Sequence, residues 1–198
     1  MLRKVLSITM AAILSLSAFC GCGEEESSTE NFYGQIMKEV DGKEIYLIYD
    51  GRYLADEEMD AVVDYYCSIQ DCDTERFCST QPEVYISYLE EKQSADMSSF
   101  VSGEHDSIAS ALGEGFDFTQ IEVTDYGTAK EDNGINDIKE LLDGIYTELG
   151  KEPVFSETVK DTKYINFDIS ATGADGDTYN LTDEMLYIFN CEDGIYIF

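Results

Sequence analysis

The spacing of apolar residues changes along this chain, and that change limits the folds it can adopt. Between residues 54 and 113 apolar side chains recur every three or four positions, which predicts helices. After about residue 162 they alternate with polar ones, as Ile165, Phe167 and Ile169 do in "KYINFDISA", which predicts strands with one buried face. This order predicts an α+β fold in which N-terminal helices pack on a curved antiparallel sheet.

Two elements outside these regions have clear turn or stop signals. Asp41-Gly42 supplies the positive φ angles of a tight turn, so residues 32–53 are predicted to form a β-hairpin. "GINDIKELLDGIYTELG" is the strongest helical pattern; it ends at Gly150 and is expected to pack on or beside the sheet. "FDFTQIEVTDYGTA", which precedes this helix, predicts a strand.

The helices before residue 114 are predicted with less regular patterns. "LADEEMDAVVDYYCSIQ" predicts an amphipathic helix with acids in its first turn. A capping box of Thr80 and Glu83, with Pro82 in the first turn, is predicted to begin a later helix. "SSFVSGEHDSIASALGEGF" predicts a glycine-interrupted loop and then a short helix that ends near Gly113.

The N-terminus predicts export. Two basic residues precede the apolar run from Val5 to Phe19, whose 15 residues are fewer than the ~20 that a membrane-spanning helix needs. A cleaved signal peptide over residues 1–21 is therefore expected. Residues 22–31 are acidic and serine-rich, which predicts a flexible tether that holds the folded part away from the membrane.

The predicted cleavage site resembles a known lipidation motif. "FCGC" resembles the lipobox of bacterial lipoproteins, although Phe19 stands where that pattern usually has Leu or Val. The resemblance implies that Gly21 is the last residue removed and that Cys22 carries diacylglycerol, whose two acyl chains give stable anchoring. The expected location is the outer face of the cell membrane. A secreted protein with an incidental cysteine pair is the alternative.

Charge excludes several partners. The chain has a net charge of −30, and removal of residues 1–21, which contain two basic residues and no acid, leaves −32. Nucleic acid and anionic lipid surfaces would repel such a protein. The hydrophobic content of 43% is enough for a folded core, so the acidity does not predict disorder.

The cysteines of the chain could form disulfides or remain free thiols. Cys67, Cys72, Cys78 and Cys191 remain in the part predicted to fold. Four cysteines in an exported protein permit two disulfides, but buried free thiols are an equal expectation if the source is anaerobic. A zinc site is not expected, because there is no C-x-x-C pair and His105 is the only histidine.

Two segments resemble a known superfamily. "AVVDYYCSIQDCDTERFCSTQPEVYISYLE" and "EMLYIFNCEDGIYIF" resemble the opening helices and last hairpin of the nuclear transport factor 2-like superfamily, which includes ketosteroid isomerase and polyketide cyclases. More specifically, the chain resembles uncharacterised lipoproteins of Gram-positive gut bacteria. The resemblance implies a cone-shaped α+β domain over residues 54–198. It implies a ligand-binding cone lined by Tyr66, Tyr85, Tyr88, Phe167 and Tyr187. The chain departs from the superfamily in having no tryptophan.

No pattern predicts an established catalytic or cofactor site. His105 and Asp106 lie in "SGEHDS", which predicts a surface loop, and G-x-S-x-G, P-loop, Rossmann and H-E-x-x-H patterns are absent. Residues 129–140 fit the spacing of a calcium loop at several positions but place Ala129 where a carboxylate is needed. We therefore expect no cofactor, no metal and no hydrolytic or redox activity.

Three classes of function are compatible with these observations. The favoured class is a non-catalytic, surface-anchored domain that binds a small apolar ligand or an envelope protein. The second is an isomerase, dehydratase or cyclase that uses the cone, and the third is an immunity or shielding lipoprotein. A carboxyl group beside a tyrosine inside the cone would favour the enzyme, and an apolar cone would favour the other two.

Overall fold

The computed structural model describes residues 33–128 and 133–198. The predicted signal peptide, the lipidated Cys22 and the tether lie outside these residues, as do residues 129–132 of the calcium-loop comparison. In the described part, the strands are β1 (Tyr33–Val40), β2 (Lys43–Asp50), β3 (Asp117–Thr128), β4 (Val159–Thr172), β5 (Thr178–Cys191) and β6 (Ile195–Ile197). The helices there are α1 (Asp56–Gln70), α2 (Thr74–Ser79), α3 (Glu83–Gln93), α4 (Met97–Leu112), α5 (Gly134–Glu148) and α6 (Phe155–Thr158).

All the described strands belong to one curled sheet in the order β1-β2-β3-β4-β5-β6. Neighbours are antiparallel except β2 and β3, which run parallel. Asp41 and Gly42 have φ angles of 52° and 80°, as the predicted β1–β2 turn requires. The hairpin joins the sheet through β2, and the α+β prediction is confirmed at this level.

Bulges curl the sheet. Register shifts interrupt the β3–β4 pairing twice and the β4–β5 pairing twice. An extra residue in one strand bends that strand and increases its local twist. The predicted alternation in β4 is confirmed, because Ile165, Phe167 and Ile169 are fully buried on the face that the helices cover.

Helix α1 is fixed to the sheet at its first turn. The backbone N–H of Ala55 donates to Oε2 of Glu58 (2.7 Å), which satisfies one of the free donors at the helix start. The same carboxylate, with Glu58 only 2% exposed, accepts two bonds from Nζ of Lys163 on β4, at 2.7 and 2.8 Å. This ion pair joins the start of α1 to the middle of the sheet.

Helix α5 lies beside α3 and contacts β4, as the sequence predicted. Ile135, Leu142 and Ile145 are buried in the common core. Gly150 has a φ of 73°, and the backbone N–H of Lys151 donates to the carbonyl of Tyr146 (2.8 Å). This arrangement is a Schellman motif, which only a residue that tolerates positive φ can complete.

The predicted start of α3 is wrong in detail. The Thr80 hydroxyl donates to the carbonyl of Phe77 (2.8 Å) at the end of α2, and Pro82 occupies the N-cap position. The backbone of Thr80 also pairs with β6, because its carbonyl accepts a hydrogen bond from the backbone N–H of Ile197 (3.0 Å). Nearby, Nε2 of Gln81 donates to the Ile197 carbonyl (2.8 Å). Pairing with the last strand therefore replaces the capping box.

The predicted loop around His105 is also wrong. Helix α4 runs without a break through Gly103, and Asp96 caps it by accepting from the backbone N–H of Ser98 (3.2 Å). A glycine in a helix costs about 1 kcal/mol relative to alanine. Burial of four apolar residues on one face of α4 offsets that cost. They are Met97, Val101, Ile108 and Leu112.

Candidate functional site

A cavity of about 390 Å³ lies between the helices and β5. We call it the tyrosine cavity. Its walls are formed by Tyr65, Tyr66 and Ile69 of α1, Tyr85 of α3, Glu104, Ile108 and Ala111 of α4, Asp137, Ile138 and Leu141 of α5, and Leu181, Glu184, Met185, Leu186 and Tyr187 of β5, with Gly134 and Phe198. Asp137 and Met185 are exposed, so the cavity opens to solvent between α5 and β5.

Aromatic packing fixes the inner wall. The ring of Tyr66 contacts Phe118 and Phe167 edge-on, with centroids 5.6 and 5.7 Å apart, and the ring of Tyr65 meets Tyr66 at 90°. Tyr66 is only 7% exposed. Its ring is therefore held by core aromatics while its side chain borders the cavity.

A bulge in β5 determines which acidic residue reaches the cavity. Leu181 pairs with Ile169 and Glu184 pairs with Phe167, so Thr182 and Asp183 together oppose one residue of β4. Asp183 has a φ of 60°, and its backbone N–H donates to Oδ1 of Asp168 (3.0 Å). The extra residue shifts the alternation of β5, which brings Glu184 to the wall of the cavity.

The second internal carboxyl comes from α4. Glu104, Ile108 and Ala111 are spaced at three and four residues, so they share one face of a continuous helix. Glu104 was not predicted as a site residue, because "SGEHDS", residues 102–107, predicts a surface loop. The spacing of Met97, Val101, Ile108 and Leu112 was the signal that could have revealed the helix.

The polar groups of the cavity are desolvated. Burial raises the pKa of the Glu104 carboxyl and, together with the charge of Asp183, that of Glu184. Burial also raises the pKa of Tyr65 and Tyr85, and the charge of Glu104 raises both further. Burial therefore shifts the ionisation of these carboxyls and phenols to higher pH.

Three of the five predicted cone residues line the cavity: Tyr66, Tyr85 and Tyr187. Phe167 lies behind Tyr66 and is fully buried in the core. Tyr88 is 5% exposed, and its hydroxyl accepts a bond from Nε2 of Gln93 on its own helix (3.0 Å). Its hydroxyl is thus satisfied within α3.

His105 belongs to a helix and not to the predicted surface loop. It lies in α4, half-buried, with Nδ1 3.1 Å from the carbonyl oxygen of Ile69. Its ring stacks on Phe116 at a centroid distance of 5.2 Å. These contacts give His105 a packing role between α4 and the end of α1.

The four described cysteines are free thiols. Burial raises the pKa of Cys67 and Cys191 to about 11, so both are poor nucleophiles. Within residues 33–128 and 133–198, no three His, Cys, Asp or Glu side chains are grouped as a metal site would require. In those same residues no helix is long and apolar enough to cross a membrane.

No family model matches this chain, and neither a curated protein nor a solved structure does. The resemblance to the nuclear transport factor 2-like superfamily therefore stays a prediction. The curled sheet with helices on one face is compatible with a cone-like α+β fold. The residues that line the cavity are therefore the basis for its proposed function.

Proposed function

We propose that this protein is a lipoprotein anchored to the outer face of the cell membrane, with an α+β domain of the nuclear transport factor 2-like type that binds a small, mostly apolar ligand without chemical change. The tyrosine cavity supports the binding function most directly. Its volume of about 390 Å³ falls within the range of ~300–1,000 Å³ typical of ligand pockets. Protein interiors are otherwise closely packed, and voids larger than a water molecule are few.

The composition of the wall supports an apolar ligand with a polar end. Aliphatic and aromatic side chains form most of the surface, including Ile108, Leu141 and Leu181. Two carboxyls and the tyrosine hydroxyls supply the small number of polar groups that orient a ligand in such pockets. Access is provided where exposed Asp137 and Met185 border the cavity.

Filling the cavity with a larger side chain tests the binding function. Ala111 borders the cavity on α4, whereas Ser110 is exposed on the same helix. We expect the full chain and Ser110→Phe to bind the neutral dye Nile red saturably, and Ala111→Phe to lose this binding. Unchanged dye binding by Ala111→Phe, or none by the wild type, would contradict the proposal.

The anchor is tested by labelling with radioactive palmitate in a Gram-positive host. We expect the label in the wild type and in Cys20→Ala, because Cys20 would leave with the signal peptide. Cys22→Ala should remain unlabelled and appear in the medium. Label on Cys22→Ala would show that lipidation occurs elsewhere and would overturn the assignment.

A second function, acid–base isomerisation of a carbonyl compound, is favoured by one observation. The carboxyl of Glu104 lies in a desolvated wall and acts electrostatically on Tyr65 and Tyr85. A carboxyl with a raised pKa can move a proton, and a phenol can donate a hydrogen bond to the enolate oxygen.

Conversion of β,γ-unsaturated ketones to conjugated ketones, followed by absorbance, tests this alternative. Turnover that persists in Glu91→Gln, an exposed control, and disappears in Glu104→Gln would establish the enzyme. An absence of turnover in the wild type would leave ligand binding as the function.

A further inference from the structure

Five of the polar side chains at the wall of the tyrosine cavity have no hydrogen-bond partner among the described residues. In the described part of the chain, the carboxyls of Glu104 and Glu184 form no hydrogen bond or ion pair, and neither do the hydroxyls of Tyr65, Tyr66 and Tyr85. Tyr66 is more than nine-tenths buried, yet its hydroxyl stays unpaired beside the cavity. No buried side-chain N or O atom of the described residues lacks a partner, so these five groups are open to the cavity, where a bound molecule can reach them.

The charge at this wall has one sign. The described residues that line the cavity include Glu104, Glu184 and Asp137 and contain no Lys, Arg or His. Of the basic residues elsewhere, Lys163 pairs with Glu58 and Arg76 pairs with Asp64. The described lining therefore supplies no cation to these carboxyls.

We propose, on the basis of the binding function above, that the ligand of the tyrosine cavity is a small amphipathic amine. Its ammonium group donates charge-assisted hydrogen bonds, which are about twice as strong as neutral ones, to the carboxyl of Glu104 or to that of Glu184. The faces of the tyrosine rings attract the same cation, and the aliphatic wall takes up the apolar part of the ligand. An anionic ligand of the same shape would place a third negative charge beside two carboxyls.

A metal ion fits this wall less well than an amine. Hard cations such as calcium take six to eight oxygen ligands. Groups of three potential ligands are absent from residues 33–128 and 133–198. An ammonium group needs only a few acceptors and tolerates the apolar surroundings when its charge is paired.

Three probes that share one skeleton and differ in charge test the inference: 4-phenylbutylamine, 4-phenylbutan-1-ol and 4-phenylbutanoate. Binding is measured by calorimetry to the full chain in phosphatidylcholine nanodiscs, with empty nanodiscs as the blank. We expect the amine to bind about tenfold more tightly than the alcohol, which corresponds to ~1.4 kcal/mol, and the carboxylate to bind most weakly.

Matched variants assign the effect to the two carboxyls. At least one of Glu104→Gln and Glu184→Gln should remove most of the preference for the amine. Both variants should leave binding of the alcohol unchanged, which also shows that they fold. Glu91→Gln removes an exposed carboxyl of α3 and should leave all three affinities unchanged.

The outcomes separate the ligand class from the binding function. Equal binding of all three probes would overturn the amine inference and leave the apolar binding function intact. A preference for the amine that survives in both glutamine variants would also overturn it, because the overall negative charge would then be the cause. Binding of none of the probes, together with no uptake of Nile red, would overturn both proposals.

Discussion

Two regions of this molecule differ in whether a carboxyl group removed from solvent has a hydrogen-bond or ion-pair partner. At the start of α1, Glu58 is 2% exposed and its carboxylate is bonded to Lys163 and to the backbone of Ala55. At the cavity, Glu104 and Glu184 are half-buried, and the described residues supply no hydrogen bond or ion pair to either. The first arrangement joins a helix to the sheet, and the second leaves acceptors available.

The difference separates acids with a structural role from the acids that we propose for ligand binding. A buried charge that is paired and hydrogen-bonded can be tolerated in a core, whereas an unpaired one destabilises the folded state. A protein that folds for stability alone would pair or replace such groups. Glu104 and Glu184 are therefore the acids to test for binding, although the chain has 42 acidic residues.

The largest effect is expected at the paired carboxylate. Lys163→Met leaves Glu58 buried without a counter-ion, and removal of one partner from a buried pair costs about 3 kcal/mol of the free energy of unfolding. Urea denaturation measures the loss. Asp60→Ala is the control, because Asp60 pairs with Lys38 while half exposed, and exposed pairs contribute less than about 1 kcal/mol. Equal losses in both variants would show that Glu58 is not structurally distinct.

Local signals predicted the parts of this fold that local physics determines. Asp41-Gly42 predicted the hairpin because few residue pairs adopt two positive φ angles. The alternation in β4 predicted its buried face, and Gly150 predicted the end of α5. Each of these features depends on residues close together in sequence.

The site could be predicted only in part, because tertiary contacts determine it. Tyr66 and Tyr85 follow the apolar stripes of their helices and lie at the wall of the tyrosine cavity, and their part in ligand binding stays a prediction. Glu184 reaches the cavity through a bulge that depends on how β5 pairs with β4, and no short sequence pattern marks it. Glu104 was missed because Gly103 was given more weight than the apolar spacing around it.

An intermediate effect is expected at the bulge that places Glu184. Asp183 has a positive φ and is exposed, so its backbone conformation matters more than its burial. Asp183→Val places a β-branched residue in the left-handed region, which costs roughly 1–2 kcal/mol. Asp183→Gly removes the same charge but accepts this φ angle, so it should retain stability in urea denaturation. If the two variants unfold alike, backbone strain is not what the bulge requires of this position.

The smallest effect on stability is expected when the unpaired carboxyl of Glu104 is replaced, and the change should raise stability instead of lowering it. Burial raises the folded-state pKa of Glu104 above its value of about 4.3 in an unfolded chain. The folded state then binds the proton more tightly, so stability from this group is present at low pH and is lost as pH rises through the folded-state pKa. Tyr65 and Tyr85 face this carboxyl and stay neutral throughout, because the pKa of each is raised above its ordinary value of 10.0.

Glu104→Gln should therefore match the wild type below pH ~4 and become more stable than the wild type as pH rises. The gain should be smaller than the loss in either variant above, since Glu104 is only half-buried and water screens part of its charge. Thermal unfolding across the pH range measures it, with exposed Glu91→Gln expected to show no such trend. A glutamine variant less stable than the wild type at neutral pH would mean that Glu104 has a stabilising partner, and the contrast with Glu58 would no longer hold. The expected gain would instead mean that the natural residue reduces stability at neutral pH, a cost typical of side chains retained for binding.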